Sequence, residues 1–404
     1  MKMLEKRKDF PMLQTRMEGH PLVYLDSAAT SQKPQSVIDA LLDYYQSSCA
    51  TVHRAIYEAS THATEAYEAT RFKVKQLLNA ASSDEIIFTR GTTDSINLVA
   101  ASFSKKWIHP GDEILVSEME HHSNIVPWKM VCEERGATLK VIPITDKAEI
   151  DLQGYQALLS GKTKIVAVSH VANATGTVNP IKTIVKLAHQ HGAKVLIDGA
   201  QSAPHLAIDV QEIDADFYAF SGHKCYGPTG VGVLYGKKEL LEALPPHHGG
   251  SDMIHTVSFS QITYAQPPLK FEPGTPMIAE VIALGSAIDY IQRVGLKEIE
   301  QWEHQLLLQA EALIASLPGI RIIGNAPQKG AILSFVVEGV HPLDIATLLS
   351  GKGIAIRTGH LCAQPTLHRL GVASVCRASF ALYNTPEEVD YFIHTLKDVI
   401  LLLR

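Results

Sequence analysis

One lysine of the sequence stands where a lysine can do chemistry. Lys224 is at the centre of the segment SGHKCYGPTG, which follows an apolar run typical of a buried strand and ends in a Gly-Pro turn signal. The alternative is a solvated surface lysine, which is the usual state of this residue. Ser221 and His223 flank Lys224 with hydrogen-bond donors suited to a phosphate. Upstream, residues 194–200 form a second buried-strand pattern that contains Asp198.

A carboxylate and a lysine at neighbouring strand ends form the pair that a pyridoxal 5'-phosphate (PLP) site requires. The lysine forms a Schiff base with the cofactor aldehyde. The carboxylate keeps the pyridinium nitrogen protonated, which makes the ring an electron sink. The pattern therefore predicts PLP bound to Lys224 and paired with Asp198.

A second phosphate signal lies earlier in the chain, where a strand over residues 85–89 runs through Gly-Thr-Thr into a helix. The free N–H groups and the positive dipole end of a helix N-terminus suit a phosphate, and Thr92 and Thr93 add hydroxyl donors. The alternative is an ordinary threonine N-cap. Together with the Lys224 segment, phosphate binding is the favoured interpretation.

The elements that position these residues alternate between strand and helix from residue 85 to 235, which predicts a mostly parallel, doubly wound sheet. Ligands of such sheets bind at the carboxyl ends of the strands. The polar residues that follow strands, and that we expect in one crevice, are Thr93, His121, Asn173, Asp198 and Lys224.

After residue 235 the pattern changes to that of a smaller α+β domain, with helices predicted over 278–294 and 386–403 and one strand over 354–357. We expect a helical N-terminal arm (1–22) that packs with the small domain. The large domain is expected to span 23–276 and the small C-terminal domain 277–404.

Composition excludes several classes of protein. The chain has 404 residues, a net charge of −6 and no basic block, so nucleic-acid binding has no support. The nineteen histidines are scattered without metal-ligand spacing, and we expect no metal site. No secretory pattern and no apolar run of about 18 residues is present, which argues against membrane insertion. Five dispersed cysteines fit a reducing cytoplasm better than a disulfide framework.

Three strings in combination resemble a known family. They are DGAQSAPH from Asp198, DFYAFSGHKCYGPTGVGVLYG from Asp216 and RTGHLCAQP from Arg357. The chain, over about residues 10–400, resembles PLP-dependent enzymes of fold type I in the class V aminotransferase superfamily, and within it the SufS-like (group II) cysteine desulfurases. It departs from them at Leu361, where many relatives have histidine.

The resemblance implies a role for individual residues. Cys362 would accept sulfur, His121 would stack on the cofactor ring, and Arg377 would bind the substrate carboxylate. Asn173 would contact the cofactor's phenolate side. Gln201, just past Asp198, is placed to reach the pyridine oxygen or the thioether end of an aldimine. Further positions implied at the substrate or, from a neighbouring subunit, at the cofactor phosphate are His53, Arg54, Thr275, Arg357 and His360.

The implied activity converts L-cysteine to L-alanine and leaves a persulfide on Cys362. A homodimer would pass the sulfur to a SufE- or SufU-type acceptor for iron–sulfur cluster assembly. Selenocysteine lyase is the main alternative. Another class V reaction, such as transamination or kynureninase-like cleavage, and a catalytically silent scaffold are the others.

Overall fold

The computed structural model describes residues 2–404, and two sheets organise it. Its strands are β1 (Arg16–Met17), β2 (His20–Pro21), β3 (Val23–Tyr24), β4 (Ile86–Thr89), β5 (Glu113–Ser117), β6 (Thr138–Ile142), β7 (Thr163–Ser169), β8 (Lys194–Asp198), β9 (Phe217–Ser221), β10 (Gly232–Gly236), β11 (Ile254–Val257), β12 (Ile262–Tyr264), β13 (Ile320–Ile323), β14 (Ile332–Val337), β15 (Ile354–Ala355), β16 (Arg357–Gly359) and β17 (Val375–Ser379).

Helices cover both sheets. They are α1 (Lys2–Lys6), α2 (Gln35–Ser47), α3 (Glu58–Leu78), α4 (Thr92–Trp107), α5 (Val126–Arg135), α6 (Leu152–Leu158), α7 (Ile181–Gln190), α8 (Val210–Ile213), α9 (Lys238–Ala243), α10 (Ile278–Val294), α11 (Leu296–Ile314), α12 (Pro342–Ser350), α13 (Gln364–Arg369) and α14 (Pro386–Leu403).

The large sheet has the strand order β4-β10-β9-β8-β7-β5-β6. Strands β5 to β9 pair in parallel, and β10 runs antiparallel to both of its neighbours. The mostly parallel α/β sheet predicted from the sequence is thereby confirmed. Because successive side chains of a strand point to opposite faces, β7 buries Val166 and Val168 in one core and Ile165 and Ala167 in the other.

The small sheet is antiparallel in the order β13-β14-β17-β16, and α11, α12 and α14 pack with it. The single strand predicted over 354–357 is wrong. Ile354 and Ala355 pair with β3, whereas Arg357 onward pairs with β17 in the small sheet. An apolar run shows that a segment is extended and buried, but it does not show which neighbours the segment pairs with.

The N-terminal segment is not the continuous helical arm that was predicted. Helix α1 ends at Lys6, and turns and the β1-β2 hairpin follow, in a stretch interrupted by Pro11 and Gly19. Phe10 is fully buried, and Arg7 forms an ion pair with Glu388 at 2.8 Å. The division into an arm and two domains stays a prediction.

Within residues 2–404, no helix combines the length and the apolar character needed to cross a membrane.

Candidate active site

A cavity of about 310 Å³ opens at the carboxyl ends of the parallel strands. Twelve of the residues singled out from the sequence line it: Thr92, Thr93, His121, Asn173, Asp198, Gln201, Ser221, His223, Lys224, Arg357, Cys362 and Arg377. For the nine between residues 92 and 224 the convergence follows from topology, because the ends of neighbouring parallel strands meet at one edge of a sheet. Arg357, Cys362 and Arg377 are brought to the same cavity by the antiparallel small sheet and the loop after β16.

The floor of the cavity holds the lysine–carboxylate pair. Asp198 ends β8 and Lys224 follows the adjacent strand β9 in a short 3-10 turn. Burial raises the pKa of Asp198, against the opposing effects of the Ala200 N–H at 2.9 Å and of the Lys224 charge. Burial likewise lowers the pKa of Lys224, and Asp198 partly offsets it. A lysine with a lowered pKa supplies a neutral amine more readily than a surface lysine.

One end of the cavity has the donors that a phosphate needs. Helix α4 begins at Thr92, whose backbone N–H donates to Ser221 Oγ at 2.8 Å, and Thr92 Oγ1 lies 2.8 Å from the same oxygen. Gly91 precedes the helix with φ 152°, and a Cβ there would lie 3.3 Å from Ser221 Oγ. A helix N-terminus and two hydroxyl groups thus face the same part of the cavity.

His121 lines the cavity as a neutral imidazole. Burial, together with the charge of Lys224, lowers its pKa to about 4. Its Nδ1 accepts the Ser123 backbone N–H at 3.1 Å and lies 2.7 Å from Ser123 Oγ. Because Nδ1 is an acceptor, the ring proton lies on Nε2.

Arg377 is buried, and its guanidinium is held from two sides. One nitrogen donates to Asn173 O at 2.9 Å and another to Asp26 Oδ1 at 3.3 Å. Asp26 also pairs with the half-exposed Arg357 at 2.9 Å. Sequence reasoning missed Asp26, although it follows a strand, as the other site residues do.

Two buried polar atoms of the cavity lining lack a hydrogen-bond partner among the described residues, namely Asn173 Oδ1 and Arg377 Nε. Buried polar groups are nearly always paired, so such atoms mark where a polar ligand binds.

Cys362 stands at the rim of the cavity on the loop between β16 and α13, and it is exposed. The backbone oxygen of Leu361 accepts from Asn173 Nδ2 at 2.7 Å. By contrast, burial raises the pKa of Cys225 and of Cys376 to about 12, which fits unreactive thiols that serve in packing.

Four predicted site residues lie outside the cavity lining. His53 contacts Glu68 at 3.0 Å, and Arg54 forms an ion pair with Asp252. Thr275 lines a separate cavity of about 110 Å³. His360 packs its ring against His122 rather than facing the cavity. For the first three, a contribution to a neighbouring subunit stays a prediction.

Glu120 is a buried carboxyl group that sequence reasoning also missed. It accepts hydrogen bonds from Ser117 Oγ, from the Ser169 N–H at 3.0 Å and from Asn124 Nδ2 at 2.7 Å. Burial raises its pKa to about 7, against the lowering effect of these bonds. In the sequence it is indistinguishable from an exposed acid that precedes a helix.

The residues present fit PLP. Lys224 is available to the aldehyde and Asp198 to the pyridinium nitrogen, while the hydroxyl groups of Thr92, Thr93 and Ser221 beside the start of α4 are available to the phosphate. The unpaired Asn173 and Arg377 atoms remain for the cofactor and an amino acid carboxylate. Within residues 2–404, no group of three potential metal ligands is present.

Comparison with known proteins agrees with this geometry. The sequence is 52% identical over 384 residues to a cysteine desulfurase of Synechococcus elongatus, covering 95% of this chain and 61% of that protein, so it spans about three fifths of that relative's length. The fold matches the cysteine desulfurase CsdA of Escherichia coli with a TM-score of 0.93 and 43% identity over 100% of this chain and 99% of that one.

A third similar protein was solved with the cofactor itself. C-DES, in a lysine-to-alanine variant with glycine covalently linked to PLP, matches with a TM-score of 0.83 and 25% identity over 97% of this chain and 99% of its own. The sequence pattern of the class-V aminotransferases matches residues 23–392. The chain therefore belongs to the class-V aminotransferase family.

Proposed function

We propose that the chain is a PLP-dependent cysteine desulfurase of the SufS-like group, which converts L-cysteine to L-alanine and leaves the sulfur as a persulfide on Cys362. One observation carries the proposal. A single cavity combines a lysine–carboxylate pair, a buried arginine and an exposed cysteine. The cysteine distinguishes this reaction from simple transamination, which needs no thiol at the cavity.

The cofactor is PLP; the lining residues that would hold it are Lys224 and Asp198, with Thr92, Thr93, Ser221 and His223 for its phosphate and His121, Asn173 and Gln201 for its ring. When bound, it condenses with amines and takes up the electron pair left when an amino acid loses its α-proton. All other steps belong to side chains of the protein.

Arg377 binds the substrate carboxylate. Its guanidinium is fixed by Asn173 O and Asp26 and keeps one unpaired N–H, so the fork is oriented before substrate arrives. Lys224 removes the α-proton, since its lowered pKa favours the neutral amine that a general base requires. The Nε2–H of His121 can donate a proton within the same cavity.

Cys362 receives the sulfur. Its thiolate attacks the substrate sulfur, so that a new S–S bond forms while the bond between that sulfur and the substrate Cβ breaks. The electron pair of the broken bond stays with the carbon, which is protonated to give L-alanine. In sum, L-cysteine and the Cys362 thiol yield L-alanine and the Cys362 persulfide.

The exposed position of Cys362 supports transfer of the persulfide to a second protein, of the SufE or SufU kind, for iron–sulfur cluster assembly. A homodimer is supported by the position of Thr275, His53 and Arg54 outside their own subunit's cavity. It would also cover the exposed apolar side chains of Ile56 and Phe259. A cytoplasmic location stays a prediction.

The test measures alanine and persulfide formed from L-cysteine by the wild type and by Cys362→Ala, with and without a SufE-type acceptor. Cys49→Ala is the matched control, because Cys49 is the other exposed cysteine of the described chain. We expect loss of activity in Cys362→Ala only, and stimulation of the wild type by the acceptor. Full cysteine activity in Cys362→Ala would overturn the proposal.

Selenocysteine lyase, the alternative, predicts the opposite pattern. Its activity on L-selenocysteine would survive Cys362→Ala and exceed that on L-cysteine in the wild type. The same assay with both substrates separates the two functions.

A further inference from the structure

Two histidine rings pack together beside the turn that carries Cys362. His122 lies in the 3-10 turn that precedes α5, and His360 lies two residues before Cys362. Their ring centroids are 5.6 Å apart, and the ring planes differ by 26°, which is a stacked arrangement. Neither ring is part of the cavity lining.

Each ring offers a nitrogen lone pair to the backbone of the cysteine turn. His360 Nδ1 accepts the Cys362 N–H at 3.1 Å, and His122 Nε2 accepts the Gln364 N–H at 3.3 Å. The backbone N–H of His122 in turn donates to Cys362 O at 2.8 Å. Three hydrogen bonds thus hold the backbone on both sides of the thiol.

The turn needs such support because its backbone is strained. Leu361 has φ 54° and Cys362 has φ 53°, so two consecutive residues with side chains occupy the left-handed region. Residues other than glycine, asparagine and aspartate rarely adopt this conformation, and it persists only where the surroundings enforce it. Without its hydrogen bonds the turn would relax and move the thiol.

We propose that His122 and His360 are positioning residues, which act as a stacked pair of neutral imidazoles and hold the Cys362 turn against the cavity. The proposal rests on the desulfurase function, because the step that the turn serves is the attack of Cys362 on the substrate sulfur. It gives His360 a different role from the substrate contact expected from the sequence. Both rings must be neutral, because a proton on either acceptor nitrogen would face a backbone N–H.

The sharpest test compares two replacements of His360 in the holoenzyme. In His360→Asn the amide oxygen can accept the N–H two residues ahead, as asparagine does in Asx turns, whereas His360→Leu has similar bulk but no acceptor. We expect kcat for persulfide formation to fall at least tenfold in His360→Leu with KM for L-cysteine unchanged, and to recover to within threefold in His360→Asn. His368→Leu, at an exposed histidine of α13, is the control.

The outcomes separate the roles. A rise in KM that asparagine does not correct would restore His360 as a substrate contact and overturn the proposal. An equal loss in the asparagine and leucine variants would overturn it as well.

A second measurement needs no turnover, so it remains valid even if the desulfurase function fails. Amide hydrogen exchange at single-residue resolution reports directly on the hydrogen bonds donated by the Cys362 and Gln364 N–H groups. We expect at least tenfold faster exchange at Cys362 in His360→Leu and at Gln364 in His122→Phe, which keeps an aromatic ring but lacks the acceptor. Unchanged exchange at both amides would overturn the proposal.

Discussion

The floor and the rim of the cavity are built in opposite ways. On the floor, Asp198 and Lys224 follow adjacent parallel strands whose residues are buried in the two large cores. At the rim, Cys362 is exposed on a strained turn, which accepts hydrogen bonds from Asn173 and His122 and donates one to His360. Packing fixes the floor, whereas a few polar contacts fix the rim.

The difference follows from what each region must do. The floor must hold a lysine and a carboxylate at a fixed separation and exclude water from them, which a close-packed sheet does well. On the proposed function, the rim presents sulfur to a second protein, so its cysteine has to remain accessible. An exposed thiol cannot be fixed by burial, and hydrogen bonds to its backbone are the means left.

The largest effect is expected on the floor. On the proposed function, Lys224→Ala removes both the cofactor-linking amine and the general base, so we expect desulfurase activity to fall by at least about 10³-fold. The visible absorbance of a lysine-bound cofactor should disappear as well, and spectroscopy beside an alanine assay measures both. Lys186→Ala, at an exposed lysine, is the control. Absorbance that is retained in Lys224→Ala would contradict the assignment, because another amine would then carry the cofactor.

Arg377→Lys should have the next largest effect. A lysine ammonium cannot contact Asn173 O and Asp26 and also grip a carboxylate with two parallel bonds. We expect kcat/KM for L-cysteine to fall about 10²-fold, or about 2.7 kcal/mol, mostly through KM. Steady-state kinetics measures this, and a change confined to kcat would place the carboxylate elsewhere.

Glu120 gives a pH-dependent test of the packed floor. Its pKa is about 7 in the folded protein and near 4.5 in the unfolded chain, so the folded state binds the proton more tightly. The free energy of unfolding should therefore fall as pH rises from 5 to 7, by about 2 kcal/mol from this group. Glu120→Gln cannot ionise, so its free energy of unfolding lacks this pH-dependent contribution. Urea unfolding at both pH values should show that, relative to the wild type, the variant becomes more stable by about 2 kcal/mol between pH 5 and pH 7. A difference that does not change with pH would contradict the prediction.

The smallest effect is expected for Leu361→His at the rim. The hydrogen bond that holds this residue is made by its backbone oxygen, which any side chain leaves in place, and its half-buried side chain only packs against a small apolar cluster. Histidine also tolerates the left-handed backbone conformation better than leucine. We expect kcat to stay within about threefold and stability to change by less than about 1 kcal/mol. A tenfold loss of kcat would mean that the side chain itself, and not the backbone, positions Cys362.

The same contrast explains what the sequence could predict. The floor was predictable because each buried strand is an apolar run and each site residue there ends a strand or follows it within a few residues, as Asp198 ends β8 and Lys224 follows β9. The predicted helices over 278–294 and 386–403 are confirmed at both ends. Both helices are long and amphipathic enough for periodicity to define them.

The rim was predictable only as a motif. The pairing of His122 with His360 joins residues 238 positions apart in the chain, and no local pattern encodes it. The same holds for Asp26 between its two arginines and for the change of sheet after Ala355. Each depends on how separate elements meet, which periodicity and turn signals do not specify.

Asp26 has a consequence for how strongly the site binds amino acid carboxylates. Its single negative charge is shared by Arg357 and Arg377. On the proposed function, an arriving substrate carboxylate therefore meets two guanidinium groups that share one internal counter-ion, rather than two unpaired cations. This sharing makes the electrostatic gain on binding smaller than it would be for two unpaired arginines. A product that carries the same carboxylate is held by the same reduced gain, which favours its release.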